Sequence, residues 1–180
     1  MATVGSTELF RRFDAAEQRL CISFNRWSDR NALRVFFATV SRLGNGVFWY
    51  VLILSLPVVS GIEGGLRALQ FTLTGTIGVL LYKWMKQRWV RERPYISHLS
   101  IRAGTAPLDR YSFPSGHTLH AVCFAVLFAV YFPVLSWIVI PFAALVAVSR
   151  VVLGLHYPTD VAMGALLGAS LAISSVYLLA

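Results

Sequence analysis

Charge is scarce in this chain. Of its 180 residues only 13% are Asp, Glu, Lys or Arg, about half the share carried by a soluble domain. The chain is 57% hydrophobic with a mean hydropathy of +0.65. This excludes an ordinary soluble globular domain and predicts an integral membrane protein. Acidic side chains are the scarcest, eight against sixteen Lys and Arg, for a net charge of +8. Glu92 and Asp109 form no recognisable metal set, so no metal and no cofactor is expected. Only two cysteines are present, Cys21 and Cys123, with no Cys-x-x-Cys spacing. That argues against a disulfide framework or a zinc site, and both read as inert thiols. A basic balance can mean nucleic acid, but this hydrophobicity points instead to anionic headgroups or a phosphorylated substrate. The first residues lack an apolar core followed by a small-residue cleavage site, so no removable signal peptide is expected.

Apolar stretches are what the chain has in abundance. Residues 46–61, 66–84, 116–132, 134–152 and 158–179 each read as a span, against a requirement of roughly 20 mostly apolar residues. Glu63, Gly64 and Gly65 mark the first turn. Pro94 should stop the second helix near Arg93. Residues 95–114 read as a loop. No charged residue occurs between 118 and 149, too long for one span, and Pro133 fits the turn of a hairpin. "GALLG", residues 164–168, has the small-xxx-small spacing that lets helices approach closely. Residues 8–25 look amphipathic, with Leu9, Phe13, Ala16, Leu20 and Phe24 opposite Arg11, Arg12, Glu17 and Arg19. Residues 31–43 repeat the pattern. Both fit helices lying in the interface or packed on the spans. The expectation is therefore an all-α membrane bundle of about five to six spans. Residues 1–45 would form an amphipathic segment and 46–180 the transmembrane domain.

The ends of these spans carry the chemistry. With alternating crossings, the end of the second, the start of the third, the end of the fourth and the start of the fifth share one side of the membrane. Three stretches meet there: "KQRWVRERP" with Lys86, Arg93 and Pro94; "PSGH" with Ser115, Gly116 and His117; and "SRVVLGLHYPTD" with Ser149, Arg150, His156 and Asp160. Ionisable groups near a bilayer are costly and tend to be functional. Lys86, Arg93 and Arg150 supply three cations for a phosphate, which guanidinium matches bidentately. Ser115 and Gly116 precede a helix whose first N–H groups favour an anion. A His can act as nucleophile or as general acid. Asp160, one helical turn after His156, could fix its tautomer and leave the other ring nitrogen free to attack. His117 could protonate the leaving oxygen from the opposite side, as in-line displacement requires.

This pattern resembles the type 2 phosphatidic acid phosphatase (PAP2) superfamily, whose signature is Lys-x6-Arg-Pro, Pro-Ser-Gly-His and Ser-Arg-x5-His-x3-Asp. Every named position is matched in order, between residues 86 and 160, and the resemblance spans roughly 83–180. It implies a metal-independent membrane lipid phosphatase working through a phospho-histidine. His156 would be nucleophile, Asp160 its partner and His117 the general acid. Lys86, Arg93, Ser115, Gly116 and Arg150 would bind phosphate. Undecaprenyl diphosphate, phosphatidylglycerol phosphate and phosphatidic acid are the candidate substrates, undecaprenyl diphosphate first. Membrane members usually have six spans; the sixth would be N-terminal and replaced here by the amphipathic segments.

Taken singly, the motifs have plainer readings: a juxtamembrane basic cluster, a helix-starting turn and a capped helix. Jointly, on one membrane face, they define a site. Lys83, Arg88 and Arg91 keep the plain reading as headgroup contacts, and His120 reads as a neighbour of the site. Four functions compete. They are lipid phosphate hydrolysis, phosphotransfer from lipid to lipid, vanadate-dependent halide oxidation, and a lipid-binding bundle with a dead site. The last needs a missing catalytic residue, and none is missing. Small size points to a bacterial inner-membrane protein. Sidedness pulls two ways. Fifteen of the sixteen Lys and Arg, all but Arg67, fall on the site's side. The positive-inside rule would make that side cytoplasmic, whereas the resemblance implies the periplasmic face, which is the expectation adopted.

Overall fold

In a computed structural model, residues 4–107 and 109–179 are described, without the side chains of 4–11 and 13. The elements run α1 (Val4–Asn25), a 3₁₀ turn (Arg26–Asp29), α2 (Asn31–Arg42), an irregular turn (Leu43–Val47), α3 (Phe48–Arg88), α4 (Pro94–Ser97), α5 (Gly116–Tyr131), a 3₁₀ turn (Pro133–Leu135), α6 (Ser136–Val152) and α7 (Pro158–Leu179). Among the described residues, three helical stretches are long and apolar enough to cross a membrane: Asn31–Arg88, Pro133–Val152 and Pro158–Leu179. The first folds back on itself. Gly61 takes φ 58°, ψ −137°, a left-handed conformation open to glycine. Gly64 then lies so close to the Leu56 carbonyl that a Cβ would sit 2.0 Å from it. The turn thus falls at Gly61 rather than at Glu63–Gly65, and α3 becomes two antiparallel arms, 48–60 and 62–88. The all-α membrane bundle stands.

α5 is the hub. Its 16 residues span about 24 Å at 1.5 Å per residue. It buries residues on every side, including Leu119, Cys123, Phe124, Leu127 and Phe128. Packing is closest against α7. A Cβ on Gly164 would meet the Ser115 carbonyl at 2.5 Å, and one on Gly168 the Leu119 carbonyl at 2.2 Å, so the GALLG spacing sets that approach. Phe71 packs edge-on against Phe128 at 4.9 Å between ring centroids, and Trp49 lies 5.4 Å from Phe124. Outside this core the apolar side chains face outward: Val58, Ile62, Trp137 and Tyr177 are each more than four-fifths exposed. In a bilayer these are lipid contacts rather than a defect.

The second arm of α3 ends at Arg88, five residues before the position expected from Pro94. Trp89 leaves the helix at φ −112°, ψ 83°. Residues 89–93 run extended, with Glu92 bridged to Tyr111 and Ser112 N–H donating to the Arg91 carbonyl at 2.8 Å. The loop pairing satisfies backbone groups that the helix would otherwise hold. α1 also turns an unexpected face inward. Leu9, Arg11 and Phe13 lie outside the described side chains. Of the rest, Glu17, Cys21 and Asn25 are buried while Leu20 is half exposed. Polar Glu17 therefore faces the protein. Cys21 packs with Ile101, Val151 and Tyr157. Burial first, then Glu17, pushes its thiol up to about 12, as befits an inert thiol.

Candidate active site

The four helix ends converge as the alternating crossings require. Lys86 near the end of α3, Arg93, Gly116 and His117 at the start of α5, Arg150 near the end of α6, and His156 before α7 all line one cavity of about 730 Å³. The cavity continues between the two arms of α3, past Tyr50, Tyr82, Ile53, Leu54 and Val79, to Trp49 and Phe124. Its head is cationic and its remainder mostly apolar.

Each cation is held differently. Lys86 Nζ donates to Asp109 Oδ1 at 2.8 Å and to the Tyr111 carbonyl at 2.7 Å. Arg93 is almost wholly buried; its Nη2 donates to the same Asp109 oxygen at 2.6 Å and its Nη1 to the Leu155 carbonyl at 2.7 Å. Arg150 is buried as well. Its Nη1 donates to Ser41 Oγ of α2, and its Nε has no hydrogen-bond partner among the described residues. A buried guanidinium with no carboxylate is costly. Three cations facing one carboxylate leave the head of the cavity set for an anion. Asp109 was not foreseen as part of this head, because nothing in its sequence surroundings distinguishes it from a loop carboxylate. Burial opposes its ionisation, but hydrogen bonds and charge from Lys86 and Arg93 prevail and hold its carboxyl below the usual range.

His156 sits in the turn between α6 and α7, 1% exposed. Its Nε2 lies 3.2 Å from Arg93 Nη1, a donor, so Nε2 is the acceptor nitrogen. Its Nδ1 faces Asp160 Oδ2 at 3.7 Å, too long for a hydrogen bond, and has no other partner among the described residues. Burial first, then the charges of Arg150, Arg93 and Lys86, hold its pKa well below the ordinary histidine value. The ring is therefore neutral at pH 7, with a lone pair directed toward the cations. Asp160 is fully buried at the first turn of α7, and its Oδ2 accepts from Tyr157 N–H at 2.8 Å.

At the start of α5 no side chain caps the first turn, and Gly116 lines the cavity, its Cα face packed against the Tyr82 ring. Ser115 is differently placed. Its N–H donates to the Asp160 carbonyl at 3.0 Å and its Oγ lies 2.9 Å from Thr118 Oγ1. That donor is already used, and it ties α5 to α7. His120 also lines the cavity, with its ring nitrogens 2.9 Å and 3.1 Å from the carbonyls of Gly116 and Gly75. Arg91, expected at lipid headgroups, instead meets Asp160 at 2.9 Å and Glu17 at 2.5 Å.

A helical membrane bundle with a cationic, histidine-bearing pocket between its helix ends is the architecture of a membrane phosphatase. The chain belongs to the PAP2 superfamily, whose match covers residues 67–180, and it is a phosphoric ester hydrolase acting on lipid phosphates. It is 31% identical over 157 residues to an undecaprenyl-diphosphatase of Sulfolobus acidocaldarius, covering 86% of this chain and 73% of that one. Its fold is similar to Aquifex aeolicus LpxE, with TM-score 0.74, 26% identity, and coverage of 86% and 92% of the two chains. It is also similar to a Bacillus subtilis PAP2-type phosphatidylglycerolphosphate phosphatase, with TM-score 0.67, 25% identity, and coverage of 93% and 86%.

Proposed function

We propose that this protein removes a phosphate from a lipid phosphate or diphosphate through a phospho-histidine formed on His156. The observation that carries this reading is the neutral, buried His156 ring, with Nε2 toward Arg93 and Nδ1 toward Asp160. Nε2 attacks phosphorus, and the P–O bond to the leaving oxygen breaks. That oxygen takes its electron pair and a proton from His117. The ring becomes cationic, and Asp160 stabilises it through the Nδ1 proton. Water then attacks the phosphorus, gives its proton to His117, and the P–N bond breaks to release phosphate and restore His156. Lys86, Arg93 and Arg150 bind the phosphoryl oxygens, with the open first turn of α5 at Gly116. Ser115 joins them only by giving up its N–H bond to Asp160. No step calls for a metal.

An isoprenoid diphosphate, undecaprenyl diphosphate first, is the substrate supported best. The undecaprenyl-diphosphatase relative and a mostly apolar cavity running between the arms of α3 both favour a long apolar chain. The active site faces the periplasm of a bacterial inner membrane. A reporter fused after Ala180, at the opposite end of α7 from the site, tests this and should report cytoplasm. Phosphotransfer to a second lipid uses the same intermediate and differs in the acceptor.

The test is phosphate release in detergent with EDTA present. Undecaprenyl diphosphate, phosphatidylglycerol phosphate and phosphatidic acid are compared, wild type beside His156→Ala. Release from one lipid, lost in the variant, is expected. Complete loss on chelation, restored by Mg²⁺, would refute the histidine mechanism. Phosphate found on an added acceptor lipid and not in solution would establish the transferase.

A further inference from the structure

Glu17 lies outside every motif and Arg91 at an unspecified position of the first, yet they form a hydrogen-bonded chain that ends at Asp160, whose other carboxylate oxygen lies 3.7 Å from His156 Nδ1. Asp160 Oδ1 accepts from Arg91 Nη1 at 2.9 Å. The other arm of that guanidinium, Nη2, donates to Glu17 Oε2 at 2.5 Å. Glu17 Oε1 in turn accepts from Thr159 N–H at 2.9 Å, in the first turn of α7, and from the Thr159 hydroxyl. The Arg91 guanidinium lies over the Tyr157 ring, 3.9 Å from its centroid. Glu17 is 6% exposed. A helix that only had to lie on a bilayer would not bury a glutamate against its neighbours, since desolvating a carboxylate is costly without partners.

We propose that Glu17 and Arg91 are positioning residues for His156. Arg91 holds the Asp160 carboxylate, and Glu17, reaching from α1, holds Arg91. The inference rests on the phospho-histidine reading. Its physical content is both geometric and electrostatic. Arg91 alone would neutralise Asp160. Glu17 shares that charge, and the three groups together carry one net negative charge behind the ring. This is where positive charge develops as Nε2 is phosphorylated. From the other elements His156 faces Lys86 of α3, Arg93 and Asp109 of the connecting segments, His117 of α5 and Arg150 of α6. Against three cations, the anionic support from the α1 side decides how well the ring can carry charge.

The experiment uses the full chain in detergent and whichever of the three lipids it turns over fastest. Phosphate release is measured against pH for Glu17→Gln, Arg91→Gln, the double variant and His156→Ala. Glu17→Gln should lower kcat about tenfold, as loss of a residue orienting a reactive group does, and leave KM within about twofold. Removing its negative charge lowers the His156 pKa, so the acidic limb of kcat/KM moves to lower pH. Arg91→Gln removes a positive charge and should move the limb to higher pH. The double variant should lose little more than the worse single variant, because both act through Asp160. An unchanged kcat, a loss confined to KM, or an acidic limb that stays in place would overturn the proposal. Glu17→Gln is close to isosteric and keeps an acceptor for Thr159, so it decides the matter even if Arg91→Gln fails to fold. Undiminished turnover by His156→Ala would instead refute the phospho-histidine reading itself.

Discussion

Two buried polar clusters lie at opposite ends of this bundle. At the end near Gly61, Gln70 Nε2 lies within 3.2 Å of Tyr131 Oη and both oxygens of Ser175, while Gln70 Oε1 accepts from Arg67 at 3.1 Å. Thr74 Oγ1 sits 2.8 Å from Ser175 Oγ. The buried groups here, Gln70, Thr74 and Ser175, are uncharged and paired with one another, and the one charge, on half-buried Arg67, is itself hydrogen-bonded to Gln70. At the other end, Arg150 Nε and His156 Nδ1 are buried without partners among the described residues, and the cations outnumber the carboxylate that faces them. A satisfied network of this kind ties helices together. An unsatisfied, charged one is set for a ligand and costs stability until it is filled. The contrast separates architecture from chemistry in a molecule where both are buried.

Substitutions should break this contrast in order of size. His156→Ala should lower phosphate release by about 10³-fold or more, since it removes the atom that bonds phosphorus. Arg150→Lys should cost about 10²-fold in kcat with a smaller rise in KM. A lysine cannot present two parallel donors to charge that grows in the transition state. Both follow from steady-state rates in detergent. Asp109→Asn tests the carboxylate that faces Lys86 and Arg93 in the cavity head. Lys86 and Arg93 would then meet a neutral amide instead of an anion. Inhibition by inorganic phosphate should strengthen by about fivefold to tenfold, a change of order 1 kcal/mol. Ser175→Ala, at the opposite end, should leave turnover unchanged and lower stability by only about 1 kcal/mol, read as a small fall in Tm.

The same comparison has a pH signature. The folded-state pKa of His156 is depressed. Its neutral burial therefore contributes stability above the ordinary histidine pKa of about 6.5, and that contribution is lost as pH falls below it. For activity, the acidic limb of kcat/KM, which reports protonation of His156, should lie below about pH 6.5. An acidic limb centred at or above 6.5 would contradict the environment described for the ring. Asp109, depressed as well, keeps its ion pairs above the ordinary carboxylate pKa and loses them as pH falls through the lower folded value.

Much of this was legible in the chain. Uncharged runs and the alternation of crossings placed the three motifs at one end of one bundle, because a helix that must span leaves its ends little freedom. The GALLG spacing marked a close helix contact, because small residues let backbones approach, and the partner proves to be α5. What escaped notice depended on partners distant in sequence. Asp109 became part of the cavity head only because Lys86 and Arg93 both turn to it. The Ser115 N–H was spent on a carbonyl 45 residues away. α3 ended at Arg88, not near Arg93, because residues 89–93 paired with the loop at 111–112. Glu17 read as the solvent face of an amphipathic helix, yet it is buried against Arg91 and Thr159 while Arg19 of the same face stays exposed. Periodicity finds which residues share a helix face, but it does not say whether lipid, water or a buried arginine lies opposite.

If phosphoryl transfer passes through His156, the intermediate can be trapped on it. The wild-type chain is mixed with undecaprenyl diphosphate labelled in the terminal phosphate, quenched in alkali within the first turnover, and digested for peptide mapping. Label is expected on the peptide that carries His156, and none in His156→Ala. Label on another residue, or turnover in the wild type with no labelled peptide at any quench time, would contradict transfer through His156.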